Sequence, residues 1–510
     1  MMKPPRVRTR STVRTVAFVL IGVALVQAAW MLTVPPFRGV DEHEHAYKAA
    51  AVARGDWSAH HEASEQGWGE LVTVPRSLVE AATPVCESLP YTTADNCRPG
   101  AERDGDTVLV ASSASRYNPA FYFVIGTAAR PFEGTAALYA MRTAGAAMCA
   151  LLIALAALAA RRWARTAWPL AALLTAATPT MLYSTTVAAP NGVEVAGALL
   201  VWCALLGLAR GPTSSREATW FIAMATAGAI PLVAVRSLGP LWLGLIALTV
   251  ALLLGRARVG ALLRTRAAIV GAVVVLLVMA AGIAWTLGAS ANDPTAIDPT
   301  NSDSPWPKLP MQLVVWLLQS IGVFPTRNEF ASLPLYLVAI LAWWLLVAFT
   351  IRFAHRSERL VLALVFAMTI LVPVAAFVAT YDRLGTAWQG RYGYPYAMGF
   401  ILICGWLLDR HAARTATWRW PVWAAAAAVA TTQVIGQLGV LRKEVADSPL
   451  SGTPDWITPA PAVVVVLTVA GAGLLGWALT RTAEHRPSRE VGPEEHAQGG
   501  TTTEASSVHA

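Results

Sequence analysis

Five consecutive residues, Asp41, Glu42, His43, Glu44 and His45, set three carboxylates and two imidazoles side by side. They stand a few residues past a long apolar run, in a chain that is 55% hydrophobic and only 14% charged. Three kinds of chemistry suit them. The first is helix capping. Asp41 can cap "DEHEHAYKAAAVARG", Glu44 stands three positions on as in a capping box, and Gly55 can stop the helix. Early acids also suit the positive end of the helix dipole. This accounts for Asp41 and Glu44 but not for Glu42 or the histidines. The second is metal binding. Asp41 and His45 are four apart and share a helix face, so with Glu44 and a ligand from elsewhere they could hold a divalent cation. His43 and His45, two apart, diverge on a helix, and no HExxH motif is present. The third is acid–base catalysis at a membrane surface, where desolvation raises a carboxyl pKa and makes a usable general base. Asp41 and Glu42 are then the catalytic candidates.

Such a site beside lipid suits a lipid-linked substrate, whose phosphate calls for arginine. "VRSLGP" supplies Arg236, and "YDRLGTAWQGRYGYP" supplies Arg383 and Arg391. An arginine at a membrane edge ordinarily snorkels to the headgroups. "WQGRYGYPY" carries more than that. An aromatic belt explains Trp388, Tyr392, Tyr394 and Tyr396 but not Gln389 and Arg391 among them. The substrate-binding candidates are therefore His45, Asn118, Arg236, Gln389, Arg391 and Tyr392.

The elements that must position these residues are membrane helices. Spans of about 20 apolar residues are expected at 15–35, 136–160, 167–187, 191–209, 217–235, 238–254, 267–288, 331–351, 359–380, 394–409, 419–437 and 460–480. The chain thus reads as an all-α polytopic membrane protein with about twelve transmembrane helices. "VAFVLIGVALVQAAWMLTV" exceeds a signal-peptide core and reads as an uncleaved first helix. With a cytoplasmic N-terminus, the inner loops become "RRWART", "ARGPTSSRE", "GRARVGALLRTR", "RFAHRSER" and "DRHAARTATWR", all rich in arginine as the positive-inside rule requires. The organisation follows: a basic N-terminus (1–14), a first helix (15–35), a large extracytoplasmic loop (36–135), a multi-span domain (136–480) and a polar, disordered cytoplasmic tail (481–510). Apolar but short segments at 117–132 and 309–325 are laid on the outer surface as interfacial helices.

A loop of about 100 residues needs structure of its own. If it is extracytoplasmic, Cys86 and Cys97 can form a disulfide. Cys149, Cys203 and Cys404 lie in apolar runs, as buried small hydrophobes do. The net charge of +8 is scattered as loop arginines and makes no concentrated basic face, so a nucleic-acid partner is excluded. No motif calls for a cofactor, and a divalent cation stays open.

"PPFRGVDEHEHAYKAAAVARGDW", "YNPAFYFVIG", "YAMRTAGA", "TPTMLYSTTVAAPNGVE", "VRSLGP" and "QGRY", in that order, resemble the bacterial predicted-membrane-protein family known as domain of unknown function 2142. They cover residues 35 to about 396. That layout in turn is similar to the GT-C glycosyltransferases, multi-span enzymes with an acidic residue soon after the first helix. These move a sugar from a polyprenyl-phosphate carrier to an acceptor outside the cytoplasmic membrane. The resemblance implies that Asp41 takes the catalytic acidic position with Glu42 beside it, and that "YNPAFYF" is a surface helix. It implies as partners the bilayer, a polyprenyl-phosphate-linked sugar and an envelope glycan or protein acceptor. Glu44 departs from the pattern, since an acid is not expected there. The alternative is a transporter or flippase of envelope precursors. It predicts ionisable residues lining a path within the spans, where only Arg142 and Glu194 stand, near span ends.

Overall fold

The computed structural model describes residues 7–58, 60–66, 68–103, 105–290, 303–326, 328–411 and 418–480. The expected tail, 481–510, and the first six residues of the basic N-terminus lie outside them. Helix α1 (Val7–Thr33) leads through a short loop to α2 (Glu42–Ala53). A folded cap follows: β1 (Glu70–Pro75), α3 (Arg76–Glu87), α4 (Ala94–Cys97), β2 (Thr107–Ser112) and α5 (Pro119–Ala129). Next come α6 (Gly134–Trp163), α7 (Trp168–Thr175), α8 (Pro179–Ser184), α9 (Asn191–Arg210) and α10 (Ser215–Ala234). Then follow α11 (Gly239–Leu254), α12 (Arg256–Leu263), α13 (Arg266–Gly288), α14 (Leu309–Gly322) and α15 (Leu333–Phe353). The chain closes with α16 (Arg356–Leu384), α17 (Gly390–His411), α18 (Trp420–Asp447) and α19 (Pro461–Thr480).

The protein is a polytopic, all-α membrane protein whose strands are confined to the two-stranded cap sheet among the described residues. Nine described helices are long and apolar enough to cross a bilayer, or ten if the α11–α12 pair, bent by 119°, counts as one span. The expected twelve are reduced for local reasons. Segment 167–187 is two short helices, because Pro179 cannot continue α7 and Thr178 caps α8 by accepting from the Met181 N–H at 3.2 Å. Around 238–254, α11 has 16 residues, and Gly255 at φ 78° turns the chain into α12. Segment 394–409 is a 22-residue helix, α17, that carries Arg391 in its first turn and Asp409 and Arg410 at its end. It is not among the nine.

Lipid is the natural solvent for faces such as that of α13, where Val270, Leu277 and Leu287 are exposed. Small residues bring helices close elsewhere. A Cβ on Gly228 of α10 would sit 2.7 Å from the Gly197 carbonyl oxygen of α9. On α5, a Cβ at Gly126 would overlap the Ala49 carbonyl, so α5 lies directly on α2.

The cap is tied to α2. Strands β1 and β2 pair antiparallel with Glu70 opposite Ser112, and alternate residues Val72, Val74, Val108 and Val110 are buried. The Ser112 hydroxyl donates to the Glu44 carbonyl at 3.0 Å. Cys86 and Cys97 are joined as a disulfide with Cα atoms 5.3 Å apart, and the other three cysteines are free and buried.

Candidate active site

Helix α2 is buried along its whole length. Asp41 occupies its N-cap position with a left-handed backbone, φ 53°, which aspartate tolerates better than most residues. Its side chain makes no capping bond, which corrects the capping-box expectation for Asp41 and Glu44. Glu44 instead accepts from the Ser113 hydroxyl.

Glu42, expected to be catalytic, is fully committed to structure. Its carboxylate pairs with Arg142 of α6 at 2.5 and 2.8 Å and accepts from the N–H groups of Gly39 and Ala188 at 3.2 and 3.1 Å. Arg142 also donates to the carbonyls of Val34 and Pro35 at 2.9 and 2.8 Å. Both side chains are inaccessible to solvent. No acceptor capacity is left on Glu42 for a reacting group, so the structure reads it as a positioning residue.

The remaining candidates converge from four places in the chain. Arg236 stands in the turn between α10 and α11, where its carbonyl accepts from the Gly239 N–H at 3.1 Å. Its guanidinium donates to the Asn191 side chain and lies 3.6 Å from Glu194, both in the first turn of α9. The Tyr392 ring is faced by both arginines, Arg236 at 4.8 Å and Arg391 at 5.5 Å from its centroid. Arg391 opens α17, whose first residue, Gly390, donates to the Gln319 side chain of α14 at 2.7 Å. His45 bonds the Tyr122 hydroxyl through Nδ1 at 2.8 Å and stacks on Tyr117 and Tyr122, with ring centroids 5.7 and 5.9 Å away.

Electrostatics tie these groups together. Burial first, then the charges of Arg236 and Arg391, pull the His45 imidazole down to about 3, so it is neutral at physiological pH. Burial, then the charge of Asp41, pushes the Glu44 carboxyl up to about 8, so it holds its proton there. Arg236, Tyr392, Asp41 and Glu44 all act on Tyr117. Two groups of opposite charge keep unused bonding capacity within this cluster. The carboxylate of Asp41 has no capping partner, and Nε of Arg391 is buried without a hydrogen-bond partner.

Three expected ligands stand differently. Asn118 caps α5, accepting from the Ala120 N–H at 3.0 Å. Gln389 is buried just ahead of α17, and its carbonyl accepts from the Tyr392 N–H at 3.0 Å. Arg383 is exposed on the last turn of α16. Among the described residues, Asp41, Glu44 and His45 do not bring three ligand atoms within 4.8 Å of one another; Glu44 accepts from Ser113 and His45 bonds Tyr122. Sequence reasoning missed the roles of Asn191, Glu194 and Tyr122. "PNGVE" marked a helix start, but no signal in it pointed across to Arg236.

Residues 24–400 match the family described as "Predicted membrane protein (DUF2142)". The chain belongs to this family. The DUF2142 region contains Asp41, Arg236, Arg391 and Tyr392, and it ends within α17. No curated protein matches the chain. Among solved structures, the chain is similar to the crystal structure of ArnT from Cupriavidus metallidurans bound to undecaprenyl phosphate, at 17% identity and a TM-score of 0.41. That likeness covers 91% of this chain and 78% of ArnT.

Proposed function

We propose that this DUF2142 protein is a membrane glycosyltransferase that moves a sugar from a polyprenyl-phosphate carrier to an envelope acceptor on the outer face of the cytoplasmic membrane. One observation carries the reading: in this cluster the Asp41 side chain makes no capping bond and the buried Nε of Arg391 has no hydrogen-bond partner. In this reading the Asp41 carboxylate takes the proton of an acceptor hydroxyl. The hydroxyl oxygen bonds to the anomeric carbon, and the bond from that carbon to the phosphate oxygen breaks. The polyprenyl phosphate leaves with the electron pair, and Arg391 and Arg236 stabilise its charge. The Tyr392 ring lies against both guanidiniums. His45, being neutral, offers the sugar a hydrogen bond without adding charge. Glu42 and Arg142 fix the start of α2, and with it Asp41. The layout, a large loop after the first helix with an acidic residue at its start, resembles that of GT-C enzymes and supports the same reading.

The test uses purified wild type and Asp41→Asn in lipid nanodiscs, a panel of polyprenyl-phospho-sugars and envelope extract as acceptor. Wild type is expected to release free polyprenyl phosphate, with Asp41→Asn slower by about 10²–10⁴-fold. Equal release by both would remove Asp41 from the base role. No release by either, with both folded, would overturn transfer and favour movement of the intact lipid-linked precursor.

A further inference from the structure

The face where α9 and α17 end holds a second cluster, away from the turns that carry Arg236 and Arg391. There Asp409, at the end of α17, accepts from the Arg165 and Thr166 N–H groups and pairs with Arg210 of α9 at 3.2 Å. Beside it, the turn from α15 into α16 meets the last residue of α17. His355 is the N-cap of α16, and Glu358 is its third residue. The two cap each other: the His355 ring accepts from the Glu358 N–H, and the Glu358 carboxylate accepts from the His355 N–H at 3.0 Å. His411, closing α17, reaches the same carboxylate through Nε2 at 2.6 Å. Its ring meets the His355 ring at 90° with centroids 4.7 Å apart. One donor atom from each of the three residues lies within 4.8 Å of the other two.

We propose that His355, Glu358 and His411 bind a divalent transition-metal ion, zinc by preference, that fastens the start of α16 to the end of α17.

Two imidazoles and a carboxylate form a donor set that zinc takes readily, with metal–ligand bonds of about 2.0–2.2 Å. Such bonds require donors roughly 3.3–3.6 Å apart around a tetrahedral ion. The cluster needs to contract by about an ångström, and the exposed His355 ring can supply that movement. Glu358 is buried and already aimed. The His355 N–H holds one side of it, and Arg410 holds its second oxygen at 3.2 Å. Outer hydrogen bonds of this kind orient a metal ligand. Arg410 lowers affinity by its charge, and the oxygen that faces the histidines would keep its bond from the His355 N–H and give up the His411 contact to the ion. The exposed side at His355 leaves a fourth position for water or an outside ligand. The three residues come from the start of α16 and the far end of the next helix, α17, which carries Arg391 and Tyr392 at its other end. An ion here therefore sets the seat of the helix that presents the phosphate-binding candidates.

The experiment is zinc titration of chelator-stripped full-length protein in nanodiscs, with metal content measured independently. Wild type is expected to take up one ion per chain. His355→Gln and His411→Gln are each expected to weaken uptake at least about tenfold, in line with the sensitivity of metal sites to their shell. Histidine modification by diethyl pyrocarbonate, read by peptide mass spectrometry on wild type, gives a result that needs no variant. Zinc is expected to protect His355 and His411 while leaving His60 open. Uptake unchanged in the His355→Gln/His411→Gln double variant, or no zinc protection of the two rings, overturns the proposal.

Discussion

At the residue scale, neighbours in one short stretch are given different tasks by what surrounds them. Glu42 meets Arg142 and two backbone donors and becomes part of the frame. Asp41, one residue earlier, has a left-handed backbone and no capping bond. Glu44 is buried beside that charge and keeps its proton. This gives a test independent of any substrate. Burial, then the Asp41 charge, pushes the folded Glu44 carboxyl from its ordinary 4.5 up to about 8. Between those values the folded state binds more protons than the unfolded state, so this group's stabilising contribution is complete below 4.5 and is lost as pH rises toward 8. Glu44→Gln removes the titration. The variant is expected to gain in thermal midpoint over wild type as pH rises from about 5 to about 8, and to hold that gain beyond. Unfolding scans of both proteins at matched rates measure it, and a difference that stays flat with pH would reject the assignment.

At the element scale, the start of α2 is held by side chains from distant helices rather than by its own cap. Arg142 joins α6 to the end of α1 and to Glu42. Removing one partner of a buried ion pair leaves the other charged and unpaired, which costs about 3–5 kcal/mol. Arg142→Met should therefore lower the thermal midpoint sharply, whereas Arg142→Met with Glu42→Met should recover much of the loss. A single variant as stable as wild type would show that the pair does not hold these helices together. The expected helix over Asp41 to Gly55 was close in extent, since α2 runs Glu42–Ala53. Its expected cap failed because capping patterns describe isolated helices, and here the ends of α1, α6 and the 183–191 turn occupy the space around it.

At the scale of the whole molecule, the two clusters occupy opposite ends of the helices that link them. Asn191 and Glu194 begin α9 and Arg210 ends it; Arg391 begins α17 and Asp409, Arg410 and His411 end it. The positive-inside pattern predicts that the Asp41–Arg391 cluster faces outward and His411 inward. Single cysteines introduced at exposed Ser58 and Ser215 into a chain lacking the three free cysteines test this. A membrane-impermeant maleimide on intact cells should label the first and spare the second. The reverse pattern would place the candidate active site in the cytoplasm and exclude transfer onto an outer acceptor.

The sequence by itself determined that this chain lives in a membrane, where most of its spans run and which family it belongs to. Those are properties of local apolar length and motif order, and both survive without knowledge of packing. It also brought Asp41, His45, Arg236, Arg391 and Tyr392 into one list, because a charge at the edge of an apolar run is conspicuous. Only the tertiary structure decided what surrounds each of them. What a carboxylate can do depends on partners from α6, the turn ahead of α9 and the cap, 69 to 146 residues away in the chain. The meeting of His355 with His411 was equally illegible, since it depends on which helix ends lie beside one another rather than on the composition of either.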